Sequence, residues 1–106
     1  MSKGIIIGLI KFTDRAAFIK DFASKVPEVI TKYGGKFILR QPETHYSEGQ
    51  TFDLHVVSEF EDIKDAKAML NSVEWKNLNE HRYKNSDIKT GSFMLLEGGD
   101  ALIKNY

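Results

Sequence analysis

Lys32-Tyr33-Gly34-Gly35-Lys36-Phe37-Ile38-Leu39-Arg40 is the stretch on which the reading of this chain turns. Two successive glycines stop a helix, because glycine takes the positive φ that a helix C-cap needs. The residues after them begin a short strand, Lys36 to Arg40. Upstream, Phe18, Phe22, Val26, Val29, Ile30 and Tyr33 recur at three- and four-residue steps, the stripe of an amphipathic helix. Asp14 is placed to cap that helix. Pro27 lies inside the stripe and has no backbone donor, which predicts a kink or short break near Ala23-Ser24. Before the helix, Ile5 to Phe12 is apolar on both alternating faces, the pattern of a central strand buried on both sides.

Downstream, Gln41 to Gln50 is a polar loop, and Thr51 to Phe60 alternates as a strand. Phe52, Leu54, Val56 and Phe60 share one of its faces; Asp53, His55, Val57 and Glu59 share the other. Asp62 caps a second helix whose inner stripe is Ile63, Ala66, Met69 and Leu70. Ser72 caps a third, short helix on which Trp75, Leu78 and Arg82 share a face, with Lys76, Glu80 and Lys84 outside. Ile88 to Glu97 is the last strand, ended by Gly98-Gly99 and followed by a tail to Tyr106. The order β-α-β-β-α-(α)-β is the ferredoxin-like split-βαβ pattern, an α+β domain. Its four-stranded antiparallel sheet carries helices on one face. Since the first strand is apolar on both faces, the helix-free face also needs cover. The same face of a second copy supplies it most simply, so a homodimer through the helix-free sheet face is expected.

One hundred and six residues fit one domain, 1–106, which buries only roughly two-thirds of its unfolded surface and gains from a second subunit. Fifteen basic and fifteen acidic side chains balance, so there is no chain-wide basic field for nucleic acid or anionic lipid. Thr51 to Phe60 also lacks the glycine and basic residue of the RNA-recognition signature, and its polar face carries Asp53 and Glu59. No cysteine is present, which removes disulfide and thiolate chemistry. Ile5 to Ile10 is too short for a signal peptide's apolar core, and no stretch approaches membrane-spanning length. Cytoplasm is the default location.

Several segments together resemble a known family. These are Tyr33-Gly34-Gly35 before a strand ending in Arg40, then Glu59-Phe60, then Ser72-x-Glu74-Trp75-x-x-Leu78-x-x-x-Arg82, and finally Leu95-Leu96-Glu97-Gly98. The family is the small proteins carrying domain of unknown function 1330 (DUF1330), in the dimeric α/β-barrel superfamily. Pro27 also lies where those proteins tend to carry one. Trp75 departs from the pattern, standing where a tyrosine is usual. The resemblance spans nearly the whole chain and implies a dimeric α/β barrel. It implies no settled activity.

Six residues are candidates for a ligand site: Tyr33, Arg40, His55, Glu59, Trp75 and Arg82. In a shared cavity between sheet and helices the arginines would grip a carboxylate or enolate, with Glu59 as base and Tyr33 and His55 as further acid/base candidates. Against this stands a structural ion pair of Glu59 with one arginine, and Trp75 as a packing anchor. His45, His55 and His81 have no ligand spacing, so no metal and no cofactor is expected. Trp75 and His81 on one helix are loosely similar to haem-degrading and antibiotic-biosynthesis monooxygenases of the same superfamily. Three functions therefore remain. One is a pocket for a small organic acid or aromatic metabolite, with cofactor-independent acid/base or oxygenase chemistry as one outcome. The others are a non-catalytic dimer with a filled barrel and a monooxygenase of that type. The residues are compatible with an enzyme and with a binding protein alike.

Overall fold

The structure, a computed structural model, describes residues 2–103. The tail expected to reach Tyr106 leaves the described residues after Ile103. The strands are β1 (Gly4–Ile10), β2 (Gly35–Gln41), β3 (Leu54–Phe60) and β4 (Ser92–Glu97). The helices are α1 (Arg15–Phe18), α2 (Val26–Lys32), α3 (Ile63–Asn71) and α4 (Val73–Asn85). The strands form one antiparallel sheet in the order β2-β3-β1-β4, the ferredoxin-like arrangement expected from the element order.

The helix starts are where the short polar side chains predict them. Asp14 Oδ1 accepts from the Ala17 N–H (3.0 Å), Asp62 Oδ1 from the Lys64 N–H (2.9 Å) and Ser72 Oγ from the Trp75 N–H (3.1 Å). The break expected from Pro27 is also present. After α1 the chain makes a π-helical turn over Ile19–Ala23, with Ser24 N–H donating to Ile19 O (2.9 Å). Helix α2 then restarts at Val26 with Pro27 in its first turn, where a missing donor costs nothing. The stop after α2 uses its two glycines differently. Gly34 adopts φ +83°, whereas a Cβ on Gly35 would lie 2.6 Å from the Phe60 ring and 2.8 Å from Ile30 Cγ2. Gly34 is required by conformation, Gly35 by the close approach of β2 to the core.

Strand β1 ends at Ile10, two residues short of the expected Phe12, and three further elements differ more from the sequence reading. Strand β3 begins at Leu54, three residues later than its alternation suggests. There Asp53 closes a clasp instead of joining the ladder: its N–H donates to Ile10 O (2.8 Å) and its Oδ2 accepts from Phe12 N–H (2.9 Å). Strand β4 begins at Ser92, not Ile88, because Asp87 Oδ1 accepts from the Lys89 and Thr90 N–H groups and folds 87–91 into a turn. Helix α4 is thirteen residues long, more than the short segment expected.

The core lies between the sheet and the helices. Ile6, Ile10 and Phe60 from the sheet meet Phe18, Phe22, Val26, Ile30, Ala66, Met69, Trp75 and Leu78 from the helices. Burial alternates along β1: Gly4, Ile6, Gly8 and Ile10 are buried, and Ile5, Ile7 and Leu9 are half-buried. The registers place Val57, Met94, Leu96 and Leu39 on the same helix-free face as Ile5, Ile7 and Leu9.

Candidate functional site

A cavity sits over the middle of the sheet, walled by the aromatic side chains Phe18, Phe22, Phe37, Trp75 and Phe93 and floored by Gly8, Val56 and Ser58. These rings come together because α1, its π-helical continuation and α4 all turn apolar faces to the sheet. Phe18 packs edge-on to Phe12 (5.0 Å between centroids), Phe22 packs against Phe18 (5.2 Å) and Trp75 (5.9 Å), and Trp75 stacks on Phe93 (5.9 Å, 29°). The free space is about 40 Å³ measured at the centres of water-sized spheres. A single water needs roughly 10–15 Å³ on that measure. Nearly all of the wall is carbon.

Two arginines border this carbon wall. Arg82 follows Trp75 and Leu78 down the inner face of α4 and is only 8% exposed. Its Nε donates to Asn79 Oδ1 (2.7 Å), and its guanidinium lies 4.7 Å from the Phe93 centroid and 5.0 Å from that of Tyr83. Burial pushes its pKa down from the ordinary arginine value. Arg40, on β2, is exposed and stands at the mouth. Its Nη1 donates to the Ala23 carbonyl at the end of the π-helical turn (2.7 Å), and its guanidinium covers the Phe37 ring at 4.5 Å. Among the described residues neither arginine has a carboxylate within ion-pair distance. Ser58 Oγ, also at this cavity, is the one buried side-chain polar atom without a hydrogen-bond partner among the described residues.

Of the six sequence candidates, the structure brings Arg40, Trp75 and Arg82 to this cavity. Tyr33, His55 and Glu59 lie elsewhere. His55 and Glu59 are odd-numbered positions of β3, and strand alternation turns them to the helix-free face. There Glu59 Oε1 pairs with Lys3 Nζ at 3.2 Å and raises the Lys3 pKa, so the ion pair with an arginine considered from sequence is replaced by one with Lys3. His55 Nδ1 donates to the Gln41 carbonyl (2.9 Å). Tyr33 packs half-buried against the edge of the core at the end of α2, away from the cavity; its hydroxyl donates to Glu74 Oε1 (2.8 Å), and Lys32 Nζ pairs with the same carboxylate (3.0 Å). Those two hydrogen bonds, Lys32's the larger, hold Glu74 below the usual carboxylate range. An open groove between α2 and α4 runs past Glu74, Asn77 and His81. No group of three or more His, Cys, Asp or Glu side chains among the described residues is arranged to hold a metal ion.

Sequence reasoning missed Ser58, Gly8 and Phe93. Ser58 left a signal: it is the polar member of Leu54, Val56, Ser58 and Phe60, an otherwise apolar strand face. Gly8 is the one glycine within the apolar run Ile5–Ile10.

Comparison with known proteins supports the architecture. The RPA0582 protein of unknown function from Rhodopseudomonas palustris superposes with TM-score 0.75 at 13% identity, over 93% of this chain and 84% of that one. SnoaB, a cofactor-independent oxygenase from Streptomyces nogalater, superposes with TM-score 0.63 at 13% identity, over 98% and 100%. A dimeric protein of unknown function and ferredoxin-like fold from Bacteroides fragilis does so with TM-score 0.53 at 15% identity, over 91% and 96%. At these identities the likeness is one of fold. No curated protein matches the chain in sequence. The family described as "Domain of unknown function (DUF1330)" matches residues 3–98, and the chain belongs to that family.

Proposed function

We propose that this protein is a homodimer that binds a small, single-ring organic acid in the cavity between sheet and helices. The observation that carries this reading is Arg82: a buried guanidinium beside a carbon-walled space, with no carboxylate partner among the described residues. A buried charge without a counterion is costly, and an anionic ligand would relieve it through charge-assisted hydrogen bonds. Trp75 and Phe93 give the ring an aromatic wall to pack against, and Arg40 at the mouth is a second cation for the acid. The apolar strip on the helix-free face supports the dimer, as does the fold shared with a protein described as dimeric.

The chemistry of the lining favours binding over catalysis. It contains no carboxylate, histidine or tyrosine that would serve as a general base. The cofactor-independent oxygenase SnoaB shares the fold, yet oxygenase or acid/base chemistry here would need a base from the ligand or from outside this lining. His81 borders the outer groove while Trp75 borders the cavity, so the two do not face one space as a monooxygenase reading asks.

Trp75 is the chain's single tryptophan and lines the cavity, so its fluorescence reports occupancy. Titration with benzoate and with the neutral benzyl alcohol tests the reading. Benzoate is expected to bind tighter by tenfold or more, and Arg82→Met to abolish that preference, since a charged hydrogen bond is worth about 1.5–3 kcal/mol. Equal binding of the two probes, or binding of neither, would overturn it. Native mass spectrometry checks the assembly, with a species at twice 12.1 kDa expected.

A further inference from the structure

Three glycines of the sheet lie at positions that pack toward the helices, and two of them have a steric reason to be glycine. A Cβ at Gly4 would stand 3.0 Å from Ile63 Cα, and one at Gly35 would enter the Phe60 ring. Gly8 has neither that reason nor a left-handed φ. A Cβ there would meet Phe93 Cδ2 at 3.7 Å, Val56 Cβ at 3.8 Å and Ile10 Cδ1 at 3.9 Å, all ordinary van der Waals contacts. Glycine weakens the middle of a strand because it has no side chain to pack and more backbone freedom to lose. At Gly8 neither backbone nor neighbours demand that weakness. What Gly8 does is leave the floor of the cavity bare.

We infer that Gly8 is a specificity-determining residue: it leaves space over β1 for the ring of a monocyclic aromatic acid and sets the upper limit on that ring's size. This rests on the binding function proposed above. The register places Gly8 in one row across the sheet with Arg40 and Val56 on one side and Phe93 on the other. Phe93 carries the Arg82 guanidinium at 4.7 Å. A ring lying on the bare backbone of Gly8 therefore has an arginine toward either side. The size follows from the space. Extended by the radius of a water molecule, a compact region of 40 Å³ of sphere centres encloses on the order of 180 Å³, and an apolar cavity of about 150 Å³ takes up one benzene ring. One six-membered ring fits; two fused rings exceed it.

The test titrates the intact protein with benzoate, 2-naphthoate and benzyl alcohol, following Trp75 fluorescence, in wild type, Gly8→Ala and Val56→Ala. The melting temperature of each variant is measured alongside. Wild type is expected to prefer benzoate to 2-naphthoate by tenfold or more. Gly8→Ala should melt no lower than wild type yet bind benzoate at least tenfold more weakly. Val56→Ala, which widens the floor beside Gly8, should narrow the gap between 2-naphthoate and benzoate. A Gly8→Ala protein that melts well below wild type would overturn the inference, because the glycine would then serve the fold. So would a stable Gly8→Ala protein with unchanged benzoate affinity. If benzyl alcohol binds as well as benzoate and Gly8→Ala still excludes both, the acid reading fails and the role of Gly8 stands.

Discussion

The two faces of the sheet are built from the same strands and have opposite characters. On the helix-covered face, Ile6, Ile10 and Phe60 are buried by side chains of the same chain, and two arginines there have no carboxylate partner among the described residues. On the other face, Ile5, Ile7 and Leu9 are only half-buried by their strand neighbours, Leu96 is 47% exposed, and the carboxylate there, Glu59, is already paired with Lys3 and stands opposite Lys36 in register. One face has its apolar cover and lacks a counter-charge; the other has its counter-charge and lacks apolar cover. The two proposed roles rest on this difference: a small anion for the first face and a matching apolar surface for the second.

The comparison breaks most readily at the centre of the open face. Ile7→Lys is expected to dissociate the proposed dimer and to lower stability by about 3–5 kcal/mol, as an unpaired charge buried in an interface does. Denaturant unfolding with sedimentation measures both. A change within about 0.5 kcal/mol, the ordinary range for a surface site, would mean that the face is free in solution.

The helix-covered face is sharpened at the glycine stop. Gly35→Ala drives a methyl into the Phe60 ring and should cost about 1–3 kcal/mol by over-packing. Gly34→Ala meets no atom within 4 Å but must hold φ +83°, and should cost about 1 kcal/mol. Equal melting temperatures for the two variants would show that the core yields to Gly35 as easily as solvent does to Gly34.

Ser58→Ala removes a buried hydroxyl with no partner among the described residues. It should leave stability unchanged or raise it by up to about 1 kcal/mol in urea unfolding. A clear loss would mean that the hydroxyl is satisfied in solution.

The smallest effect expected is one of pH. Glu74 and Asp87 have folded pKa values below their ordinary values of 4.5 and 3.8, Glu74 chiefly through Lys32 and Asp87 chiefly through hydrogen bonding from Thr90. A depressed carboxylate stabilises the fold above its unfolded pKa, and that contribution is lost as pH falls through the folded value. Melting temperature should therefore decline from about pH 4.5 downward, and Glu74→Gln should flatten the upper part of that decline. An acid limb identical in Glu74→Gln would assign it to other groups.

Much of this molecule is legible one residue at a time. The caps at Asp14, Asp62 and Ser72 and the restart at Pro27 each depend on atoms within a turn of the chain. The starts of β3 and β4 were not legible, because alternation over Thr51–Asp53 and apolarity at Ile88 carry no sign of the hydrogen bonds through which Asp53 and Asp87 shape the chain there. In the candidate site, the helical period placed Trp75 and Arg82 on one face. Strand alternation had already put His55 and Glu59 opposite Leu54 and Phe60, so their distance from the cavity follows from a pattern visible in the sequence.

By itself the sequence determined the elements, their order, the ferredoxin-like class and the two-sided apolar character of the first strand. Those properties arise from residues two to four apart, whose side chains share a face through the strand and helix periods. Only the tertiary structure decided which charge meets which partner and where space is left. Glu59 pairs with Lys3, 56 positions away, because β1 and β3 align Gly4 with Phe60. The cavity over Gly8 exists because the strands and helices that surround it meet there without filling it. Such choices depend on packing among distant segments, where volume and shape must match at once, and no local period encodes them.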